Sequence, residues 1–333
     1  MRGKNSTGHG LANPGSGKRE TGVSTPTRTA PIPGIRGGVW GWREGRERLP
    51  FACCRELGYE GGVYLEFYGL RESPFDLAPN PRFLYFSPRH REAFNHLIYG
   101  LRERKGFVQL TGEVGCGKTT LCRALLHELG PGFATALILN PWLGENDLLP
   151  AVAAEFGLKE TGGNLRETLH LLNEFLLRQH GEGREAVLVI DEAQDLTVEQ
   201  LEQIRLLSNL ETDECKLLQI ILLGQPELRA RLNEHRLRQL RQRITVRFHL
   251  DPMRFDELEP YIQHRLATAG GAGRPRFTTP ALWRIQFYSR GIPRLINALC
   301  DKCLLAGFVA GQERIGYATV SRAVRELEGR IAV

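Results

Sequence analysis

Eight consecutive residues, Gly112-Glu113-Val114-Gly115-Cys116-Gly117-Lys118-Thr119, satisfy the spacing G-x-x-x-x-G-K-[ST] in full, with Thr120 directly behind them. The chemistry open to such a run is capture of a polyphosphate. Glycines at 112, 115 and 117 let backbone N–H groups turn inward around phosphate oxygens, and a helix opening at Lys118 would present its positive N-terminal end to the same anion. Lys118 supplies a mobile cation for the β- and γ-phosphates, and the Thr119 hydroxyl is a hard oxygen ligand suited to Mg²⁺. The bland alternative is a Gly-rich turn that happens to end in Lys-Thr. An apolar strand immediately before and a helical pattern immediately after argue against it.

A second constellation lies some seventy residues on, where the apolar run Val187-Leu188-Val189-Ile190 delivers two adjacent carboxylates, Asp191 and Glu192. Open α/β sheets place their ligands at the carboxyl ends of strands. Asp191 is expected to orient Mg²⁺, and Glu192 to accept a proton from an attacking water while Lys118 and the metal absorb charge at the γ-phosphate. The pair together favours hydrolysis of ATP over transfer to an acceptor. Acidic residues at a strand end are unremarkable alone; beside the phosphate loop they gain their meaning.

These residues need a scaffold, and the pattern supplies one. Apolar residues Phe94, Leu97, Ile98 and Leu101 recur at helical spacing before a strand at 107–111. A helix to about Leu129, a strand at 134–139, a helix through Leu165, Leu169, Leu172 and Leu176, and a strand at 186–190 follow. A helix at 198–211 and strands at 217–223 and 245–250 complete the alternation. Continuous rather than alternating apolar runs predict a parallel sheet covered on both faces. After Pro252 the pattern is helical only, over 255–269, 280–288, 293–307 and 318–327, which predicts a small second domain.

The 333 residues, 41% hydrophobic and 25% charged, suit one large core with an appendage. Residues 1–62 differ: they hold 14 Gly, 5 Pro, 10 Lys+Arg and 5 Asp+Glu, with no sustained periodicity. They are expected to be a disordered extension, or an upstream over-reading of a chain that begins at Val63. The division is then 1–62 extension, 63–251 nucleotide-binding core and 252–333 helical lid. Removing the extension reduces the overall charge of +6 to 34 basic against 33 acidic residues, so bulk charge gives little support to nucleic-acid binding. Seven cysteines make no paired framework, and Cys300 and Cys303 sit in an apolar helical run without further ligands, so core packing is expected of them. No signal-peptide pattern or membrane-length apolar run is present, and a cytoplasmic location is expected.

With both motifs in place, Tyr64 to about Leu327 resembles the ExeA or general secretion pathway protein A family of AAA+ ATPases. The resemblance is carried by YLEFYGLRESPF, PNPRFLYFSPRHREA, GFVQLTGEVGCGKTT, VLVIDEAQDL, RLLSNLET and LLGQPEL. It implies an α/β P-loop NTPase fold of the AAA+, ASCE type, with parallel strand order 5-1-4-3-2, an all-helical C-terminal lid and ATP bound between subunits of a ring or partial ring. Residue by residue, Gln225 resembles the polar sensor after the fourth strand, and Asn140 the residue restraining the catalytic glutamate. A turn or capping role competes for each. Gly291-Ile292-Pro293-Arg294 resembles the lid motif whose arginine, here Arg294, reaches the γ-phosphate. Arg241 resembles an arginine finger offered to a neighbouring subunit, with Arg243 and Arg238 behind it and a solvated basic face as the competing reading. Cys116 replaces a residue commonly small or hydroxylic in the loop, and its thiol is expected near the phosphates, where alkylation would block binding. Better-known members of the family carry a membrane segment and a peptidoglycan-binding domain after the lid.

Three functions fit this reading. The first is remodelling or assembly of a partner complex in a secretion, pilus or exopolysaccharide system, with peripheral membrane association left open. The second is a DNA-associated regulator resembling transposition helper ATPases, with duplex DNA as partner. The third is an ATP-binding switch that rarely hydrolyses.

Overall fold

The computed structural model describes residues 64–139, 141, 144, 147–158, 164–212 and 215–329. The expected extension at 1–62 and the expected role of Asn140 fall outside these residues. A short helix α1 (Leu65–Tyr68) and a 3-10 turn at Pro81–Phe83 precede α2 (Pro88–Arg102), which Ser87 caps through its side chain with Pro88 at the first helical position. The core then alternates β1 (Phe107–Gly112), α3 (Lys118–Leu129), β2 (Phe133–Ile138), α4 (Leu148–Glu155), α5 (Leu165–Gly181), β3 (Glu185–Ile190) and α6 (Val198–Leu207). It closes with β4 (Leu218–Gly224), α7 (Pro226–Leu232), α8 (Arg238–Arg243) and β5 (Ile244–Leu250).

All strand pairings in this sheet are parallel, in the order β2-β3-β4-β1-β5, which is the expected 5-1-4-3-2 read from the other edge. The alternation of side chains divides each central strand between two cores. Val187 and Val189 of β3 face α2 and α3 together with Val108, Leu110, Ile221 and Leu223. Leu188 and Ile190 face α4 to α8 together with Ile220 and Leu222. Both faces are therefore apolar, which is why these strands are uninterrupted apolar runs in sequence.

The lid comprises α9 (Phe255–Thr268), α10 (Thr279–Ser289), α11 (Pro293–Val309) and α12 (Tyr317–Leu327). Two-residue strands absent from the sequence reading, β6 (Arg276–Phe277) and β7 (Arg314–Ile315), pair in parallel and tie the loops before α10 and α12. Another difference concerns the segment 64–83, which the sequence division groups with the core. Tyr64, Tyr68, Leu70, Phe75 and Phe83 pack in the lid's own apolar cluster, beside Leu258, Ile262, Leu299 and Leu304. The Tyr68 hydroxyl donates within that cluster to the Gln312 carbonyl at 3.0 Å, and Tyr64 to the Asp301 carboxylate. The chain thus enters through the lid before it builds the sheet. Cys300 and Cys303 are buried free thiols on α11, packed as core residues.

Candidate functional site

The site forms where β1 ends and α3 begins. Lys118 is the first residue of α3 and only 5% exposed, and its Nζ donates to the carbonyls of Gly112 and Glu113 at 2.9 and 3.1 Å. The ammonium is thereby held at the mouth of the loop it belongs to. Gly115 has φ +82°, and a Cβ there would lie 2.5 Å from the Cβ of Arg294. Close approach of loop and lid at this point therefore requires glycine. The Arg294 amide completes the contact by donating to the Gly115 carbonyl at 3.2 Å.

Two strands over, beyond β4, β3 brings Asp191 against α3. Thr119 Oγ1 donates to Asp191 Oδ2, and the Glu192 amide donates to Asp191 Oδ1 at 2.9 Å. Burial pushes the Asp191 carboxyl above its ordinary range, while these two donors and Lys118 pull it back. Thr119 and Asp191 present hydroxyl and carboxylate oxygens in contact with one another, a donor set of the hard type that fits Mg²⁺. Among the described residues no cluster of three or more His, Cys, Asp or Glu side chains offers another metal site.

Glu192 adopts φ 50°, ψ 39°, a left-handed conformation that costs a non-glycine residue about 1–2 kcal/mol. The turn points its carboxylate away from the sheet and into the cleft. Glu192 Oε2 accepts from Gln194 Nε2 at 3.0 Å and Gln225 Nε2 at 3.3 Å. Gln225 is thus brought to Glu192, as its place after β4 implies. Gln194 is an addition: its side-chain oxygen accepts from the Gln225 amide at 3.0 Å, and its carbonyl accepts from Arg231 at 2.6 Å. Its position two residues past Glu192 is the only sequence signal it carries.

A cleft of about 300 Å³ connects these groups, lined by the loop from Val114 to Thr120, Glu192 and Arg294 on one side. Its far wall is the segment Asp76–Asn80 with Phe83 and Tyr85, backed by the lid residues Met253, Tyr261, Arg265 and Asn297. Arg265 is 7% exposed, yet no carboxylate among the described residues forms an ion pair with it. Its guanidinium donates to the Pro74 carbonyl at 2.6 Å, the Asp76 carbonyl at 3.2 Å and the Tyr261 hydroxyl at 3.1 Å, and that hydroxyl donates to Asn297 at 2.6 Å. The buried charge is met by these hydrogen bonds and by the faces of Phe83 and Tyr261, 5.1 and 5.8 Å away, and its effect is to fasten the cleft wall to α9 and α11.

Two residues at the loop, one in it and one beneath it, differ from expectation or escaped it. Cys116 is 1% exposed and packs into the core beneath the loop, and burial pushes its thiol up to about 11. The residue lines the cleft from this buried position, and burial disfavours its thiolate. His90 of α2 is 2% exposed and was not singled out in sequence. Its Nε2 lies 3.1 Å from the Cys116 carbonyl, so this nitrogen carries the proton, and Nδ1 accepts from Ser87 Oγ at 2.9 Å. His90 braces the loop from below.

The three candidate arginines of α8 lie apart from this cleft. Arg243 donates to the Arg205 carbonyl and to Ser208 Oγ, which holds it, half-buried, against the end of α6. Arg241 donates to Asn233 Oδ1 at 3.3 Å on another surface, and Arg238 is exposed. None reaches the phosphate loop of its own chain.

A phosphate loop between strand and helix, an acidic pair at the end of a strand two places away in the sheet and a helical lid define the AAA+ class of P-loop proteins. Comparison with known proteins agrees: the family model described as AAA domain matches residues 101–232. General secretion pathway protein A of Aeromonas hydrophila is 48% identical over 268 residues, which are 80% of this chain and 49% of that protein. The chain belongs to the AAA+ family to which general secretion pathway protein A also belongs, and it spans about half the length of that relative. Among solved structures, Cdc6p from Pyrobaculum aerophilum superposes with a TM-score of 0.62 at 18% identity, covering 76% of this chain and 70% of that one. The ORC2 protein of Aeropyrum pernix, in its ADPNP-ADP complexes, gives 0.57 at 18% identity over 76% and 71%. At this identity the two structures establish the shared fold.

Proposed function

We propose that the chain binds ATP in the cleft between phosphate loop and lid and hydrolyses it to ADP and phosphate. The observation that carries the proposal is the convergence on one cleft of the Lys118 ammonium, the touching Thr119 and Asp191 oxygens and the Glu192 carboxylate. Loop amides and Lys118 bind the phosphates. Thr119 and Asp191 would hold Mg²⁺, which when bound neutralises charge on the phosphate oxygens. Glu192 Oε2 is occupied by two amide donors, so Oε1 is the atom that takes the proton of the attacking water. As that water's oxygen bonds to the γ-phosphorus, the bond to the β–γ bridging oxygen breaks and ADP leaves. Gln194 and Gln225 hold the base in position, and Arg294 carries the lid's positive charge to the phosphates.

Arg241 faces away from its own cleft, which fits a finger given to a neighbour in a ring or partial ring, contributing on the order of 10³ to 10⁵ in rate. The partner we propose is a secretion, pilus or exopolysaccharide complex that ATP turnover remodels or assembles, as the name of the Aeromonas hydrophila relative supports. ATP supply and the free thiols favour the cytoplasm as the site of action. Among the described residues no helix is long and apolar enough to cross a membrane.

The test is nucleotide binding and turnover side by side. Lys118→Ala should abolish binding of Mg-ATP, whereas Glu192→Gln should retain it and lose turnover by roughly 10² to 10⁴. Wild-type turnover in Glu192→Gln, or intact binding in Lys118→Ala, would refute the assignment.

A further inference from the structure

Asn297 lines the nucleotide cleft from α11, one helical turn past Arg294, and is 5% exposed. The orientation of its amide is dictated by its neighbours. Arg265 Nη1, a group that can only donate, gives a hydrogen bond to the Tyr261 hydroxyl at 3.1 Å, so the hydroxyl's own proton must find an acceptor elsewhere. It finds Asn297 Oδ1 at 2.6 Å. With the carboxamide turned the other way, the hydroxyl proton would have no acceptor in a buried place. The chain from Arg265 through Tyr261 to Asn297 therefore runs in one direction only. Oδ1 is committed to Tyr261, and Nδ2 is the end of the amide left for the cleft.

The surroundings say what such a donor can meet. Leu77, Phe83, Tyr85, Met253 and Tyr261 line the cleft as well, and they form an apolar setting for a flat ring. Arg294 meets the phosphate loop through its backbone, whereas Asn297, about 5.4 Å further along the helix, is tied through Tyr261 and Arg265 to the wall at Pro74 and Asp76. Phosphates and nucleoside thus fall to successive turns of α11. A purine presents apolar faces, and its ring nitrogens accept hydrogen bonds in the plane of the ring.

On the reading of this cleft as an ATP site, we infer that Asn297 determines specificity for the nucleoside: Nδ2 donates to a ring nitrogen of adenine, and Tyr261 and Arg265 are positioning residues that fix the amide in that sense. The inference rests on that reading, and its test separates the two. ADP is the probe, because it is not turned over, and inorganic pyrophosphate is the control without a base. Both are titrated calorimetrically into the full-length chain. Asn297→Asp keeps an oxygen to accept from Tyr261 but puts an acceptor where the donor was. It should weaken ADP about tenfold and pyrophosphate less than about twofold. A second measurement needs no variant to fold: among 1-deaza-, 3-deaza- and 7-deaza-ADP, one should bind the wild type about tenfold more weakly than ADP, and that analogue should lose nothing further in Asn297→Asp. ADP analogues lacking the 2′- or 3′-hydroxyl should bind as ADP does. Equal losses of ADP and pyrophosphate in Asn297→Asp, wild-type affinity for all three deaza analogues, or a loss confined to a deoxy analogue overturns the inference and leaves the ATP reading standing. Failure of the wild type to bind either ADP or pyrophosphate removes the reading and the inference together.

Discussion

The two sides of the nucleotide cleft are built on different principles. On the phosphate side the working groups are neighbours in sequence: eight residues from Gly112 to Thr119 supply the loop amides, the ammonium and a hydroxyl, and one strand end supplies both carboxylates. On the far side the wall is a segment at 74–85 held by a lid helix some 190 residues later, through Arg265 and the carbonyls of Pro74 and Asp76. A phosphate is recognised by backbone, so short local geometry suffices. The other wall has no such geometry of its own and exists only when the lid grips it. The comparison implies that damage to the lid should reach the cleft through packing, and damage to the loop through binding chemistry.

The largest effect should come where the start of the lid meets the turn between α10 and α11 through backbone. Gly291 has φ +78°, and a Cβ there would lie 2.0 Å from the carbonyl oxygen of Met253, whose amide donates to the Gly291 carbonyl at 2.8 Å. Gly291→Ala must both hold a left-handed conformation and push two backbones apart, so a loss of about 3 kcal/mol is expected in urea unfolding. Nucleotide affinity should fall with it, because Arg294 follows three residues on and contacts Gly115. An alanine variant of wild-type stability would show that the lid is not registered on its own backbone at this point.

A somewhat smaller loss should follow Arg265→Leu. The substitution leaves the Pro74 and Asp76 carbonyls and the Tyr261 hydroxyl without their donor in a buried setting, for a cost of about 2–3 kcal/mol. The expected signature is selective. Affinity for ATP should drop more than affinity for inorganic triphosphate, since the far wall moves while the phosphate loop stays. Equal losses for both ligands would mean that the wall does not contact the nucleoside.

This contrast also explains what was legible in sequence. The strands β1, β3 and β4 followed from continuous apolar runs and the two motifs, and their order from the family resemblance, with ends displaced by about one residue, because hydrogen-bonded ladders extend past the last apolar side chain. Lys118, Thr119, Asp191 and Glu192 converge as the two motifs imply, and Gln225 joins them as the family resemblance implies. The attachment of Tyr64–Phe83 to the lid was not legible, since an aromatic-rich segment states that it will be buried but not against what. Arg265 and His90 left a faint trace. Leu258, Tyr261, Ile262, Arg265 and Leu266 share a helical face, as do His90, Ala93, Leu97 and Leu101, so a polar residue on each apolar stripe marked a buried hydrogen-bonding site. The partners, carbonyls at 74, 76 and 116, carry no side-chain signature at all.

The smallest effect isolates the brace beneath the loop. Burial holds the His90 imidazole below its ordinary value of 6.5, opposed by its bond to the Cys116 carbonyl and by Glu257. For a base whose folded value is depressed, the stabilising contribution of the neutral ring is complete above 6.5 and is lost as pH falls through the folded value. His90→Gln keeps an amide donor able to reach the Cys116 carbonyl but removes the titration. At pH 7.5 the variant should be less stable than wild type by about 1 kcal/mol, reflecting poorer packing and the altered bond to Ser87. Below pH 6.5 that gap should narrow, because only the wild type must protonate a buried ring. A gap that stays constant from pH 7.5 to pH 5 would show that His90 does not titrate against the loop, and that the phosphate side relies on its own backbone for its shape.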